Sequence, residues 1–452
     1  MKMNKFYQIL FAAALILPLN AGAKELFKAE EFSLENGLRV VVIENHKAPL
    51  IKQMVWYNAG AVDEKYGKGG SAHLLEHLMF RGTKKVNDGE FNRIMHENGV
   101  DSNAFTSYDM TAYHEFADIS RLEALMALEA DRMQNLSFDE KAFAAEQKIV
   151  FQERKQVVEN NPAAPFGERL NLLLWGNSPY GHPVTGLADE IMALTADDVR
   201  DFYQNYYAPN NAVLVLAGDI DVPTARKLAE KYYGKIPVPA KEIIKQKIAT
   251  ENVKFNERLK MKLPQITTPK LIYKYLLPDT EELKDKIYDY MVLAEYLGGG
   301  QTSVLYRELV ENRKVAVGIS ASYGFNASAN SLFSLSAIPA PQTTMLTLKI
   351  ALREVRAEAL QNLTAEKLEK VKKKMVADLV FANDNPEDAA YWLGYMLING
   401  FSLTEAQSYA DKINAVTTEG VLQAAKELFL HSPEVEGELY PLNTAAGEKQ
   451  DD

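Results

Sequence analysis

The polar and apolar positions along the chain change period several times. From Gly37, "GLRVVVIENHKAPLIKQMVWYNAG" is rich in β-branched residues and breaks near Lys47 to Pro49, which predicts two strands joined by a turn. Between Gly70 and Phe80 the period becomes helical, with Ala72, Leu75, Leu78 and Met79 recurring at three- and four-residue steps. "EFNRIMHENG" predicts a second short helix stopped by Gly99, and "SNAFTSYDMTAYHEFA" returns to strand-like composition. Helical spacing resumes from Ser120 to Met133 and from Asp139 to Val158, ending before Asn160, Asn161 and Pro162. "NAVLVLAGDI" reads as a buried strand, and "VPTARKLAEKYYG" as the helix after it. Strands and helices mix without strict βαβ alternation, so the expected class is α+β.

The stretch from about Pro237 to Thr268 is rich in lysine and proline with weak periodicity, and residues 241–268 read as a linker. This divides the chain into an N-terminal domain, 24–240, and a C-terminal domain, 269–442, with a flexible tail expected at 443–452. The second half repeats the first. "QNLSFDEKAFAAEQKIV" from Gln134 has a counterpart in "QNLTAEKLEKVKKKMV" from Gln361, and "LLEHL" at Leu74 lines up with "LAEYL" at Leu293. A period this long suggests a duplicated domain rather than a solenoid. In this register His73 faces Val292 and His77 faces Tyr296.

Length agrees with two domains, because 452 residues exceed one ordinary hydrophobic core. The net charge of −11 argues against nucleic acid or an anionic membrane as partner. Lys2 and Lys5 precede an apolar run from Ile9 to Leu17, and "NAGA" follows Pro18. This is the pattern of a secretory signal (1–23) cleaved after Ala23, with a run too short for the roughly 20 residues of a membrane span. A periplasmic product is therefore expected. The chain has no cysteine, so any bound metal must be held by nitrogen and oxygen ligands.

Chemistry concentrates in "SAHLLEHLMF". Positions four apart on a helix share a face, so His73 and His77 can hold one divalent ion between them. Glu76 lies next to them, placed for a water proton rather than for coordination, in the inverted order H-x-x-E-H. Such a pattern arises by chance roughly once in a hundred chains with this many histidines, which sets aside the reading as incidental core histidines. A catalytic zinc usually takes three protein ligands. The predicted helix from Asp139 offers Glu146 and Glu153 on one face, one of which could ligate while the other orients a histidine.

"GKGGSAHLLEHLMFRGT", followed by Glu146, Glu153, "YGHPVTG" and "YYAPNNAVLVLAGDID", closely resembles the pitrilysin-type metallopeptidases, relatives of insulin-degrading enzyme and mitochondrial processing peptidase. The resemblance covers essentially all of the mature chain and is greatest to the short two-domain branch. There two related α/β-sandwich domains form half of a clamshell. It implies one Zn²⁺ per chain held by His73, His77 and Glu153, with Glu76 as general base and Glu146 as supporting glutamate. It also implies that substrate adds as a strand at "SNAFTS", with Asn103, Ala104 and Phe105 lining the cleft. Main-chain pairing of that kind tolerates many sequences. The implied activity is zinc-dependent cleavage of peptides or unfolded segments.

One departure stands out. The family's second domain carries an Arg and a Tyr that hold the substrate, and the matching positions in "LVENRKVAVGIS" are Val310 and Val317. This implies a heterodimer with a similar chain that supplies the Arg–Tyr pair, a homodimer being compatible with the same surfaces. Arg307, Arg313 and Tyr323 are the nearby candidates for substitutes. The rival reading is a non-catalytic structural or assembly subunit of the same fold. His182 and His96 read as structural or surface residues, and His114 lies in the strand region close to the expected cleft.

Overall fold

The computed structural model describes residues 28–239, 243, 245, 248, 256–279, 282–284 and 286–442. The expected signal, the tail and part of the expected linker lie outside the described residues. The first half opens with β1 (Ala29–Ser33), β2 (Arg39–Glu44) and β3 (Leu50–Tyr57). Helices α1 (Ser71–Leu78) and α2 (Glu90–Glu97) lead into the hairpin β4 (Asp101–Thr106) and β5 (Thr111–Asp118). Then come α3 (Leu122–Asn135), α4 (Glu140–Asn160), α5 (Ala164–Trp175), α6 (Ala188–Ala193) and α7 (Ala196–Tyr206). Strand β6 (Ala212–Gly218) returns to the sheet before α8 (Val222–Tyr232). The second half runs β7 (Glu257–Leu263), β8 (Lys270–Asp279), α9 (Ile287–Gly298), α10 (Val304–Tyr306), β9 (Ala316–Gly324) and β10 (Asn330–Pro339). It continues with α11 (Met345–Gln361), α12 (Ala365–Asp384), α13 (Pro386–Ile398), α14 (Leu403–Gln407), α15 (Tyr409–Ala415), α16 (Thr418–His431) and β11 (Glu434–Pro441).

The strand orders are β1-β2-β6-β3-β5-β4 and β7-β11-β8-β10-β9. In each sheet the last strand in sequence, β6 or β11, runs parallel to one early strand and antiparallel to the next. With β1 set aside, the two sheets share one topology, which is the duplication expected from the repeated segments. The expected turn between β2 and β3 does not make them neighbours, because β6 lies between them. Part of the expected linker is also corrected: Glu257–Leu263 forms an edge strand, β7, of the second sheet.

Strand alternation assigns the two faces of the first sheet. Val55, Tyr113 and Ala104 lie side by side on one face, over α1, α3, α7 and α8. Trp56, Ala112 and Phe105 lie on the other, and there the covering helix is α13 of the second half. The fit is close: a Cβ on Gly394 of α13 would stand 2.1 Å from the Trp56 indole nitrogen. The exchange is reciprocal, because α5 of the first half packs Phe166 and Leu170 against β7 and β11, close over Gly437. Each sheet therefore completes its core with a helix from the other half.

Candidate metal centre

Helix α1 is anchored by Leu74, Leu75 and Leu78, all fully buried. Burying each contributes about 1.5–3 kcal/mol. The same turns present His73, Glu76 and His77 to a cleft of about 550 Å³ between α1, α4 and the edge strand β4, lined also by Phe80, Arg81, Asn103, Glu146 and Glu153. The two imidazole centroids are 4.9 Å apart. His77 Nε2 lies 3.3 Å and His73 Nε2 3.9 Å from Glu153 Oε2, and ligand-capable atoms of the three residues all lie within 4.8 Å of one another. Ligands around a tetrahedral ion with bonds of about 2.1 Å stand roughly 3.4 Å apart, so this donor set fits zinc with small adjustments.

The hydrogen bonds around the cluster favour a cation there. His77 Nδ1 is 3.0 Å from Glu146 Oε2 and donates to it, which turns Nε2 toward the Glu153 carboxylate. Two electron-rich atoms at that distance need a proton or a metal between them. Accordingly His77 titrates above its usual range: burial opposes the shift, and the Glu146 hydrogen bond with the charges of Glu153, Glu146 and Glu76 outweighs it. His73 is pushed down to about 4 by burial and by His77, so it is neutral and able to ligate near pH 7. Its Nδ1 is buried with no hydrogen-bond partner. Glu146 is held in place by Arg81, whose Nε donates at 2.5 Å, and burial's upward push on it is overcome by the bonds from His77 and Arg81. Glu76 accepts a hydrogen bond from the Thr106 hydroxyl at the end of β4, and burial raises its pKa despite that bond.

Of the residues expected to meet substrate, Asn103 lines the cleft, whereas Ala104 packs toward the α1 core. Phe105 turns to the opposite face, 5.4 Å from Trp56 and 5.6 Å from Tyr391. What β4 offers the cleft is therefore mainly its backbone edge, where the Asn103 side-chain oxygen accepts the Ala104 N–H. His182 contributes its carbonyl to Tyr108, and His96 lies in the last turn of α2. His114 neighbours Asn103 in register, and its Nδ1 is 2.9 Å from Lys52 Nζ, which also bonds Glu387 of α13. Val317 is exposed on the edge strand β9, and Val310 packs partly buried against the core. Arg313 is engaged by Glu354 and Glu358, and Tyr323 bonds Ser331 and stacks on Tyr290. Arg81 and Thr106 are not evident from the sequence alone. Arg81 extends the four-residue step of His73 and His77, which is the one signal that points to it.

Residues 39–186 match the family Insulinase (Peptidase family M16), and residues 193–375 match the Peptidase M16 inactive domain. The zinc protease PqqE of Helicobacter pylori is 30% identical over 355 residues, which span 76% of this chain and 75% of that protein. The chain belongs to peptidase family M16. The pitrilysin-type resemblance of the motifs is thereby borne out. A crystal structure of a protease from Helicobacter pylori matches this M16 chain with a TM-score of 0.81 at 26% identity, over 92% of this chain and 100% of that one. The structure of the periplasmic protease PqqL from Escherichia coli shares the fold at a TM-score of 0.76 and 20% identity, matched over 91% of this chain and 47% of its own. Among the described residues no helix is long and apolar enough to cross a membrane.

Proposed function

We propose that this M16 chain is the catalytic subunit of an exported zinc metalloendopeptidase that cuts peptides or unfolded segments. The observation that carries the reading is the convergence of His73, His77 and Glu153 on one point beside Glu76. When bound there, Zn²⁺ supplies Lewis acidity toward the scissile carbonyl and makes water a better nucleophile. Glu76 takes the proton from the attacking water and returns it to the leaving amine, oriented meanwhile by the Thr106 hydroxyl. Glu146 keeps His77 in the tautomer that leaves Nε2 free to ligate. The free edge of β4 pairs with the substrate main chain and lays it across the cleft.

Export rests on the sequence of residues 1–23, and a periplasmic site of action would agree with the relative PqqL. A partner of the same fold would supply the Arg and Tyr missing at Val310 and Val317. In support, Arg313 and Tyr323 are already engaged within the second half. The fold also recurs as about half of a longer chain in PqqL. A substrate-binding donor is worth about 10²–10³ in kcat, so the isolated chain should be slow. The valines equally favour a second reading, a non-catalytic subunit. Metal analysis and a quenched-peptide assay separate the two. The first reading expects about one zinc per chain, lost in His73→Ala, and hydrolysis that rises when an Arg–Tyr-bearing partner is added. Absence of zinc from the gently purified chain would leave only the second.

A further inference from the structure

The motif "YGHPVTG" and the glycines of "YGKGGSAH" take no part in the chemistry above, yet the fold presses them together. A Cβ on Gly186 would stand 2.5 Å from the Gly69 carbonyl oxygen and 2.7 Å from the Gly70 nitrogen. A Cβ on Gly70, whose φ is 87°, would meet the Thr185 carbonyl at 2.7 Å. This junction is the N-terminal end of α1. The residue at its cap, Gly70, has no side chain to accept the orphan N–H groups of the first turn. The acceptor comes from upstream instead. Glu64 Oε2 takes the Gly70 N–H at 3.1 Å and Glu64 Oε1 takes the Ala72 N–H at 2.9 Å.

The helix so capped has eight residues, fewer than the roughly 12–15 an isolated helix needs to persist in water. His73 stands in its first turn and His77 in its second. Fraying of the first turn would displace His73 and leave His77 where it is. Metal–ligand distances tolerate only about 0.2 Å of error, so such a displacement would open the site.

We propose that Glu64 is a positioning residue of the metal centre, whose two carboxyl oxygens hold the first turn of α1 so that His73 stays in register with His77 and Glu153. The inference rests on the zinc reading of that centre. It acts through the backbone, which distinguishes it from the side-chain contacts of Glu146 and Thr106. Glutamine at this position keeps one acceptor and sets an amide NH₂ against the other N–H, so the two-point hold is lost without a change of size. Aspartate keeps both oxygens and withdraws them by one methylene.

The test uses the full mature chain in four forms: wild type, His73→Ala, Glu64→Gln and Glu64→Asp. Zinc affinity is measured by chelator competition, and site geometry by the visible absorption of the Co²⁺-loaded protein. Glu64→Gln should bind zinc about 10–100-fold more weakly and show an altered Co²⁺ band, with Glu64→Asp between it and wild type. A folded Glu64→Gln with wild-type zinc affinity and an unchanged Co²⁺ spectrum overturns the inference while the zinc reading stands. If Glu64→Gln does not fold, Glu64→Asp carries the same two measurements, and wild-type values in both overturn the inference in the same way. Wild-type protein that binds no zinc, or His73→Ala that binds it undiminished, overturns the zinc reading and this inference with it.

Discussion

Helices α1 and α4 in the first half, and α9 and α12 in the second, are the same pair of elements put to different uses. In the first, His73 and His77 face Glu153 with Glu76 beside them. In the second, the matching positions of α9 are Val292 and Tyr296, both buried, and the Tyr296 hydroxyl donates to the Ala359 carbonyl. Glu295 stands where Glu76 does. Counted from the capping residues Asp139 and Thr364, Asp378 stands where Glu153 does. Between those two carboxylates lies Lys374, 2.7 Å from Glu295 and 2.9 Å from Asp378. An ammonium thus bridges the carboxylates in one half, and in the other two imidazoles stand beside the matching carboxylate. The scaffold accommodates either arrangement, so the fold itself does not require the histidines.

The most severe test of that contrast is a matched pair of variants. Glu76→Gln should lower kcat/KM by about 10²–10⁴ with zinc retained, while Glu295→Gln leaves the rate unchanged. Equal losses in peptide assays of the two would erase the distinction between the halves. Next, Glu146→Gln should weaken zinc binding about 10–100-fold, read by chelator competition, whereas Val371→Gln at the corresponding place on α12 should leave it alone.

Packing gives a third comparison. Alanine at Gly394 must displace the Trp56 indole, an overpacking of about 1–3 kcal/mol. That outweighs the roughly 1 kcal/mol which alanine brings to a helix interior. Alanine at Gly437 first meets the tip of Leu170 and the edge of Phe166, both 2.7 Å away and outside the backbone, and should cost less in thermal melts.

A pH effect separates the sheets. His114 is pushed down to about 4, mainly by burial and then by Lys52, with Asp101 and Glu387 opposing. Its folded-state value lies below the ordinary 6.5, so the unfolded chain binds the extra proton and stability falls as pH drops from 6.5 toward 4. The ring is only partly buried, so the loss should be about 1–2 kcal/mol, and denaturant melts of His114→Gln should lack it. The smallest effect belongs to Lys374→Met. Breaking that half-exposed bridge should cost under about 1 kcal/mol and leave metal content and activity untouched.

What could be read from the sequence divides along the range of the interactions. The H-x-x-E-H face was legible because its geometry is local to two helical turns. Spacing left the choice between Glu146 and Glu153 to the family resemblance, because both lie on one face of α4 and only its placement against α1 brings Glu153 to both imidazoles. Thr106 reaches Glu76 from a strand and Glu64 reaches the first turn of α1 from a loop, through contacts that no periodicity encodes. The insertion of β6 between β2 and β3 is a pairing of distant segments, hidden for the same reason. Strand β7 did leave a trace: Leu259, Met261 and Leu263 alternate with charged residues, a pattern masked by the surrounding lysines and prolines.

The exchange of α5 and α13 between the halves also governs the order in which the molecule can be made. Lys52 on β3 and Glu387 on α13 are 335 positions apart, so the second face of the first sheet stays bare until α13 has left the ribosome. Contacts of such separation fold slowly, because the loop between them must close before they reward it. A nascent first half is therefore kept loose by its own architecture. If the chain is exported as proposed, that delay keeps it in a state fit for passage through a membrane.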